Sequence, residues 1–332
     1  MRLHDDIAAE RGDVVGRVLS GGDGHDGWTD TAAVEDAIAL LDAAEASALV
    51  PLVDEAERHR LRALHTTDER AAHWHPVLAR RGEVAVGYAG VVLPHTPGLT
   101  AVGDVAVSRE HTPCGPVLSV LLASLEGLAW QHAAGRLQVW IRHATAEDVS
   151  CATDEGYGID RRLAVLGRHL PVPVAEPSAP PPAGITIRAA RPDLDDEGIV
   201  AVLAAAYGAG PDGGWDLPRF RERAALDWFR HEDLLVAVDE VGRILGMHWL
   251  KRRSATVGEV YNLAIHPDGQ GAGLGGALLH AGLAHLTDVG CDEVLLWVDR
   301  ANERAVRLYT SQGLTTRWED VALGRTLRGS AR

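Results

Sequence analysis

Residues 170–184 read LPVPVAEPSAPPPAG, a stretch in which six of fifteen residues are proline. Each proline lacks a backbone donor and fixes its own φ, so neither a helix nor a central strand is expected there, and the stretch reads as a semi-rigid extended linker. It leaves about 170 residues before it and about 150 after it, each the size of an ordinary domain. A chain of 332 residues with 46% hydrophobic content can bury more than one core. Two domains are therefore expected, residues 1–170 and 184–332, joined by a linker over 171–183.

After the linker, strand and helix patterns alternate. ITIRAA (185–190) reads as a short strand, LDDEGIVAVLAAAY (194–207) as an amphipathic helix, and LPRFRERAALDWF (217–229) as a second helix with proline in its first turn. Three runs rich in branched and apolar residues follow at 234–239, 243–252 and 258–267, separated by turn-length gaps that make them strands. A long helix is expected from about Gly273 to Val289, then a strand at 293–299, a helix at 302–313 ended by Gly313, and a final strand or hairpin. The order is that of a mixed α/β (α+β) domain.

The first half repeats this plan with weaker letters. EVAVGYAGVVL (83–93) parallels the strand before Lys251, and the opening Val-Gly-acid-Val recurs at Val102–Val105 and Val257–Val260. CATDEGYG (151–158) takes the place of LYTSQGLT (308–315), so an internal duplication is the simplest account. Residues 1–30 have no counterpart on this reading and no assigned role.

A net charge of −15 excludes the basic surface that a nucleic-acid or anionic-membrane partner would need, so small molecules are the expected partners. The N-terminal MRLHDDIAAE carries acids where a signal peptide needs cations, and no stretch reads as a membrane span, so a cytoplasmic location is expected. The three cysteines, Cys114, Cys151 and Cys291, have unrelated spacings and suggest neither disulfides nor a metal knot. His73 and His75, in HWH, lack nearby carboxylate or cysteine partners in the sequence; no metal is expected. The oligomeric state is left open, with a monomer compatible with the reading.

HPDGQGAGLGG (266–276) lies between a strand and a long helix, where backbone N–H groups can receive an anion. A P-loop would need Lys and Ser or Thr after its last glycine, and Gly276 and Ala277 stand there instead. A dinucleotide fingerprint is literally present as Gly271, Gly273 and Gly276, with Asp299 as a ribose ligand, but the turn HPDGQ intervenes and three consecutive strands precede it. The third reading is a pyrophosphate cradle for coenzyme A. Gln270, Gly273 and Gly275 resemble the Gln/Arg-x-x-Gly-x-Gly motif of GCN5-related N-acetyltransferases (GNATs), and Asn302, Ala305, Tyr309 and Gly313 resemble the Asn-x-x-Ala-x-x-x-Tyr-x-x-x-Gly signature of that family.

Within the GNATs, GGW (213–215), HWLK (248–251), GEVY (258–261) and RLYTSQGLTT (307–316) resemble the mycothiol synthase family. The resemblance implies two tandem GNAT domains, each a mixed, largely antiparallel sheet flanked by helices, with the first degenerate. Its loop TPCGPV (112–117) has Pro113 and Pro116 where backbone donors are needed and Val117 where glycine should admit phosphate. The implied reaction moves acetyl from acetyl-CoA to the cysteinyl amine of a cysteinyl-glucosaminyl-inositol, with no metal. Alternatives are a GNAT acetylating another small-molecule amine and a non-enzymatic module that senses acyl-CoA.

The family match implies Glu259 as general base and acceptor ligand, Tyr309 as proton donor to the coenzyme thiolate, and Lys251 as a substrate-binding residue. Lys251 is the only lysine in the chain, and its three freely turning donors suit several hydroxyls better than a fixed guanidinium fork. Acetyl-CoA is expected on a backbone N–H among Leu263, Ala264 and Ile265, on the loop residues Gln270, Gly271, Ala272, Gly273, Leu274, Gly275 and Gly276, and on Asn302, which can equally cap the following helix. Gly271 and Ala272 stand where many relatives have arginines, which leaves the phosphates to backbone donors. Trp297 replaces a family tyrosine, and Asp212 precedes GGW near where a substrate-binding glutamate is expected. Glu69, in TTDER, is a candidate wall carboxylate for the acceptor cleft.

Overall fold

The computed structural model describes residues 7–21, 28–46, 51–65, 73–110, 113–171, 180–208, 210 and 212–327. The first half runs β1 (Ile7–Arg11), β2 (Val14–Val18), β3 (Ser20–Gly21), β4 (Trp28–Thr29), α1 (Thr31–Ala46), α2 (Glu55–Arg62), β5 (Trp74–Arg81), β6 (Val84–Val92), β7 (Thr100–Val107), α3 (Cys114–Gln131), β8 (Arg136–Ile141), α4 (Ala146–Asp154) and β9 (Gly158–His169). The second runs β10 (Thr186–Ala189), α5 (Asp196–Tyr207), α6 (Leu217–Ala224), β11 (Leu234–Val238), β12 (Ile244–Arg252), β13 (Val257–Ile265), α7 (Leu274–Asp288), β14 (Glu293–Asp299), α8 (Glu303–Ser311) and β15 (Thr315–Thr326).

The chain forms two compact units, one of residues 1–163 with 318–332 and one of residues 164–317. In the first unit the sheet runs β1-β2-β5-β6-β7-β8 and is completed by Val321–Thr326 of β15, antiparallel to β8. β2 pairs antiparallel with β5 as β10 pairs with β11, which makes Val14–Val18 the counterpart of Thr186–Ala189. Residues 1–30 thus include one repeated strand, which the sequence reading missed because VVGRV shares no letters beyond its apolar alternation with TIRA; β1 has no second copy. α3 reaches the length and hydropathy of a membrane span, which the sequence reading did not anticipate. Its Leu118, Leu121, Leu122 and Leu125 are nonetheless no more than 1% exposed, packed in the core of this unit.

In the second unit the sheet runs β9-β14-β13-β12-β11-β10, with β13 and β14 parallel and β10 to β13 antiparallel. Alternation along β12 sends Met247 and Trp249 to the face covered by α5 and α6, and Gly246, His248 and Leu250 to the face covered by α7. α6 ends at Ala224, short of the expected Phe229. Trp228 and Phe229 instead turn in against Trp249, with ring centroids at 5.9 and 5.4 Å, so aromatic packing outweighs the helical pattern there.

Candidate active site

One extra residue in β13 organises the site. Opposite β12, Trp249 pairs with Asn262 and Leu250 with Val260, so Tyr261 forms a bulge. On its other edge β13 pairs with β14 only from Val257↔Glu293 to Val260↔Leu296. Both strands continue past that point, to Ile265 and Asp299, with no further ladder pair between them among the described residues. The carbonyls of Leu263 and Ile265 are met by side chains, the Tyr207 hydroxyl at 3.3 Å and the Gln270 amide at 3.4 Å. Backbone groups alternate between the two edges of a strand, so the N–H groups of Leu263 and Ile265 face the parted edge and that of Ala264 faces β12.

Lys251 and Glu259 lie directly opposite each other across the β12–β13 ladder, on the face covered by α5 and α6. They are 9% and 8% exposed, and charges so deep persist only with partners. The Lys251 ammonium sits 4.5 Å from the centre of the Trp228 ring. Arg253 donates to Oε2 of Glu259 at 2.6 Å, and its guanidinium lies over the Trp297 ring at 5.2 Å. Three charged groups, Lys251, Glu259 and Arg253, and the rings of Trp228 and Trp297 thus converge on the short strand segment before the bulge.

Tyr309, from α8, approaches from the other face, 8% exposed among Leu263, Leu308 and Leu314. Burial pushes its hydroxyl up to about 12, so it holds its proton at neutral pH. Tyr207, at the end of α5, donates to Oδ1 of Asn262 at 2.7 Å. Its hydroxyl is also raised, first by burial and then by Tyr309 and Asp212. Nothing in the run VLAAAY sets Tyr207 apart from a core aromatic, and only its position at a helix end hints otherwise.

In the loop, Gly271 and Gly273 have φ of +88° and +82°, where side-chain-bearing residues are strained. A Cβ at either would meet nothing within 4 Å, so their requirement is conformational rather than spatial. Gly273 is the N-cap of α7 and supplies no side-chain acceptor, which leaves the first-turn N–H groups at Leu274, Gly275 and Gly276 for an anion. Ala272 adds no polar side chain. Arg304, from α8, donates to Oε1 of Gln270 at 2.6 Å and so brings beside the loop a guanidinium that the sequence reading did not include. Sequence spacing hid it because it lies 34 residues away. Asn302 caps α8, its Oδ1 accepting from the Ala305 N–H at 3.1 Å. Asp212 is exposed and engages Trp215 through its backbone carbonyl, at 2.9 Å. Glu69 lies outside the described residues. Among the described residues no group of three His, Cys, Asp or Glu is placed to hold a metal.

The family model of the Acetyltransferase (GNAT) family matches residues 202–314, from α5 through the strands and loop to the end of α8. A mycothiol acetyltransferase of Actinosynnema mirum is 36% identical over 298 residues, 89% of this chain and 96% of that protein. The chain belongs to the mycothiol acetyltransferase family. A second mycothiol acetyltransferase, of Stackebrandtia nassauensis, is 36% identical over 87% of this chain and 94% of its own. Among solved structures, a GCN5-related N-acetyltransferase from Sphaerobacter thermophilus matches with a TM-score of 0.70 at 21% identity, over 96% of both chains. A tandem GNAT protein from the clavulanic acid biosynthesis pathway matches with a TM-score of 0.67 at 16% identity, over 95% of this chain and 99% of that one. These likenesses show the tandem GNAT fold. As a member of the family, the chain is an N-acetyltransferase that uses acetyl-CoA as co-substrate.

Proposed function

We propose that the second unit acetylates the cysteinyl α-amine of a cysteinyl-glucosaminyl-inositol, as the last step of mycothiol formation in the cytoplasm. The observation that carries this reading is the buried Lys251–Glu259 pair set beside the parted β13–β14 edge. The loop from Gln270 to Gly276 and Arg304 would hold the pyrophosphate, and the edge at Leu263 and Ile265 would pair with the pantetheine arm and hold the thioester oxygen through an N–H. Lys251 supplies donors for the sugar or inositol hydroxyls, and Trp228 limits where its ammonium can go.

An α-amine has a pKa of about 8, so at neutral pH a base must take its proton before or during attack on the thioester carbonyl. Glu259 fills that role, buried and held by Arg253. As the tetrahedral intermediate collapses, the coenzyme thiolate leaves and Tyr309, still protonated, supplies its proton. Asp212, Trp297 and Glu69 remain candidate acceptor contacts on this reading.

The test is acetyl transfer to the cysteinyl-glucosaminyl-inositol, to free cysteine and to a simple amine, with wild type and Glu259→Gln. Marked preference for the first acceptor and a fall in turnover of roughly 10²–10⁴-fold in the variant, with acetyl-CoA affinity kept, are expected. Equal use of all three acceptors would defeat the mycothiol reading, and wild-type turnover in the variant would remove Glu259 from the chemistry.

A further inference from the structure

A guanidinium bound to a candidate general base needs explaining, because an ion pair would be expected to weaken that base. Arg253 follows the last residue of β12 and sits two residues beyond Lys251 on the same strand face, opposite the turn that leads into β13. Its backbone N–H donates to the Val257 carbonyl at 2.9 Å, which fixes the base of the side chain. Its guanidinium is then held at two further points, by the Oε2 of Glu259 at 2.6 Å and by the face of Trp297 at 5.2 Å. A long side chain normally loses rotamer freedom when it is pinned, yet here backbone, carboxylate and ring fix it together. The pair is half-enclosed, with side-chain exposures of 21% for Arg253 and 10% for Glu259.

From this geometry we propose that Arg253, braced by Trp297, is a positioning residue that fixes the Glu259 carboxylate so that its second oxygen, Oε1, meets the acceptor amine. The proposal rests on the reading of Glu259 as the base. A carboxylate whose χ angles are free points at the amine only part of the time; one oxygen tied to a rigid fork removes that freedom before substrate arrives. Two cations, Lys251 and Arg253, then flank one carboxylate. The amine is admitted next to a surplus of positive charge, which disfavours its protonated form and favours the neutral nucleophile. Trp297 takes part here as the surface that stacks the guanidinium. A phenol at that position would stack less area, and its hydroxyl would compete for the same donor.

The experiment is a double-mutant cycle on the full chain with Arg253→Gln, Glu259→Gln and both together, measuring kcat and the KM of each substrate. Arg253→Gln is expected to lower kcat roughly ten- to hundredfold, the scale of one charge-assisted hydrogen bond, with the KM of acetyl-CoA unchanged. In the Glu259→Gln background the same change should cost nothing further, because there is no carboxylate left to hold. Arg253→Lys, which keeps the charge but loses the planar stack, should fall between wild type and Arg253→Gln. If Glu259→Gln is impaired while Arg253→Gln matches wild type, or if the two losses multiply in the double variant, the positioning role is overturned. If Glu259→Gln itself is fully active, the reading of the base falls instead. Should Arg253→Gln unfold, Trp297→Leu removes the brace while leaving the ion pair, and an unchanged kcat there overturns the proposal equally.

Discussion

Replacing Gly282 by alanine in the middle of α7 separates local helix preference from packing. On propensity alone the change should stabilise an isolated helix by about 1 kcal/mol. In the folded unit a Cβ at residue 282 would stand 2.1 Å from Cε1 and 2.2 Å from Nδ1 of His248, far inside van der Waals contact. The His248 ring has nowhere to go. It is fully buried on β12, and Nδ1 is 2.9 Å from the Leu278 carbonyl, to which it donates. Either the ring rotates and orphans that donor, at about 1–3 kcal/mol, or α7 shifts off the sheet, at an overpacking cost of about 1–3 kcal/mol. Less the propensity gain of about 1 kcal/mol, a cost in the middle of either range leaves Gly282→Ala about 1 kcal/mol less stable. For a unit of this size each kcal/mol lowers Tm by about 2–4 °C, so a drop of that size is expected by differential scanning calorimetry. Gly127→Ala in α3, where a Cβ would meet nothing within 4 Å, serves as the contrast and should hold or raise stability. A Gly282→Ala variant as stable as wild type would refute the claim that the His248 ring is locked in place.

The same ring sets a pH dependence. Burial lowers the His248 pKa to about 4, below the ordinary value of 6.5, so the unfolded chain binds this proton more readily than the folded one. Its contribution to stability is therefore intact above about pH 6.5 and is lost as pH falls toward 4; urea titrations across that window should show the slope, and His248→Gln should flatten it. Lys251→Arg should cut kcat/KM for the cysteinyl-glucosaminyl-inositol roughly ten- to hundredfold while the KM of acetyl-CoA stays put, because a planar fork, bulkier than the ammonium and stacked on Trp228, cannot turn its donors to the hydroxyls. A silent Lys251→Arg in steady-state assays would mean that the lone lysine holds no acceptor.

The strand and helix order of the second unit was legible because each element there announces its period: LLVAV is uniformly buried, and LGGALLHAGLAHLTD repeats its apolar face every three to four residues. The loop was legible because only glycine adopts the left-handed turns at 271 and 273 without strain. Lys251 and Glu259 could be named but not paired, since their opposition depends on the register set by the turn between Arg252 and Gly258, which the apolar pattern of the two strands leaves open. Arg253, Arg304 and Tyr207 escaped notice for a related reason. Each is an ordinary surface or core type whose role arises from a partner strands or helices away. The strand at Val14–Val18 was hidden by brevity, since five residues with one glycine carry too little periodicity to be recognised as half of a repeat.

The division of the chain also orders events in time. Residues 164–317, the whole of the second unit, have been synthesised before the ribosome reaches Val321–Thr326, the strand that pairs with β8 in the first. The usual sequence, in which the N-terminal domain finishes folding first, is reversed here. Until those last residues emerge, β8 keeps an open edge of apolar Leu137, Val139 and Ile141, the kind of edge that invites pairing with other chains. A ribosome that stalls or terminates just short of residue 318 would release a protein whose second unit is entire and whose first is exposed to aggregation.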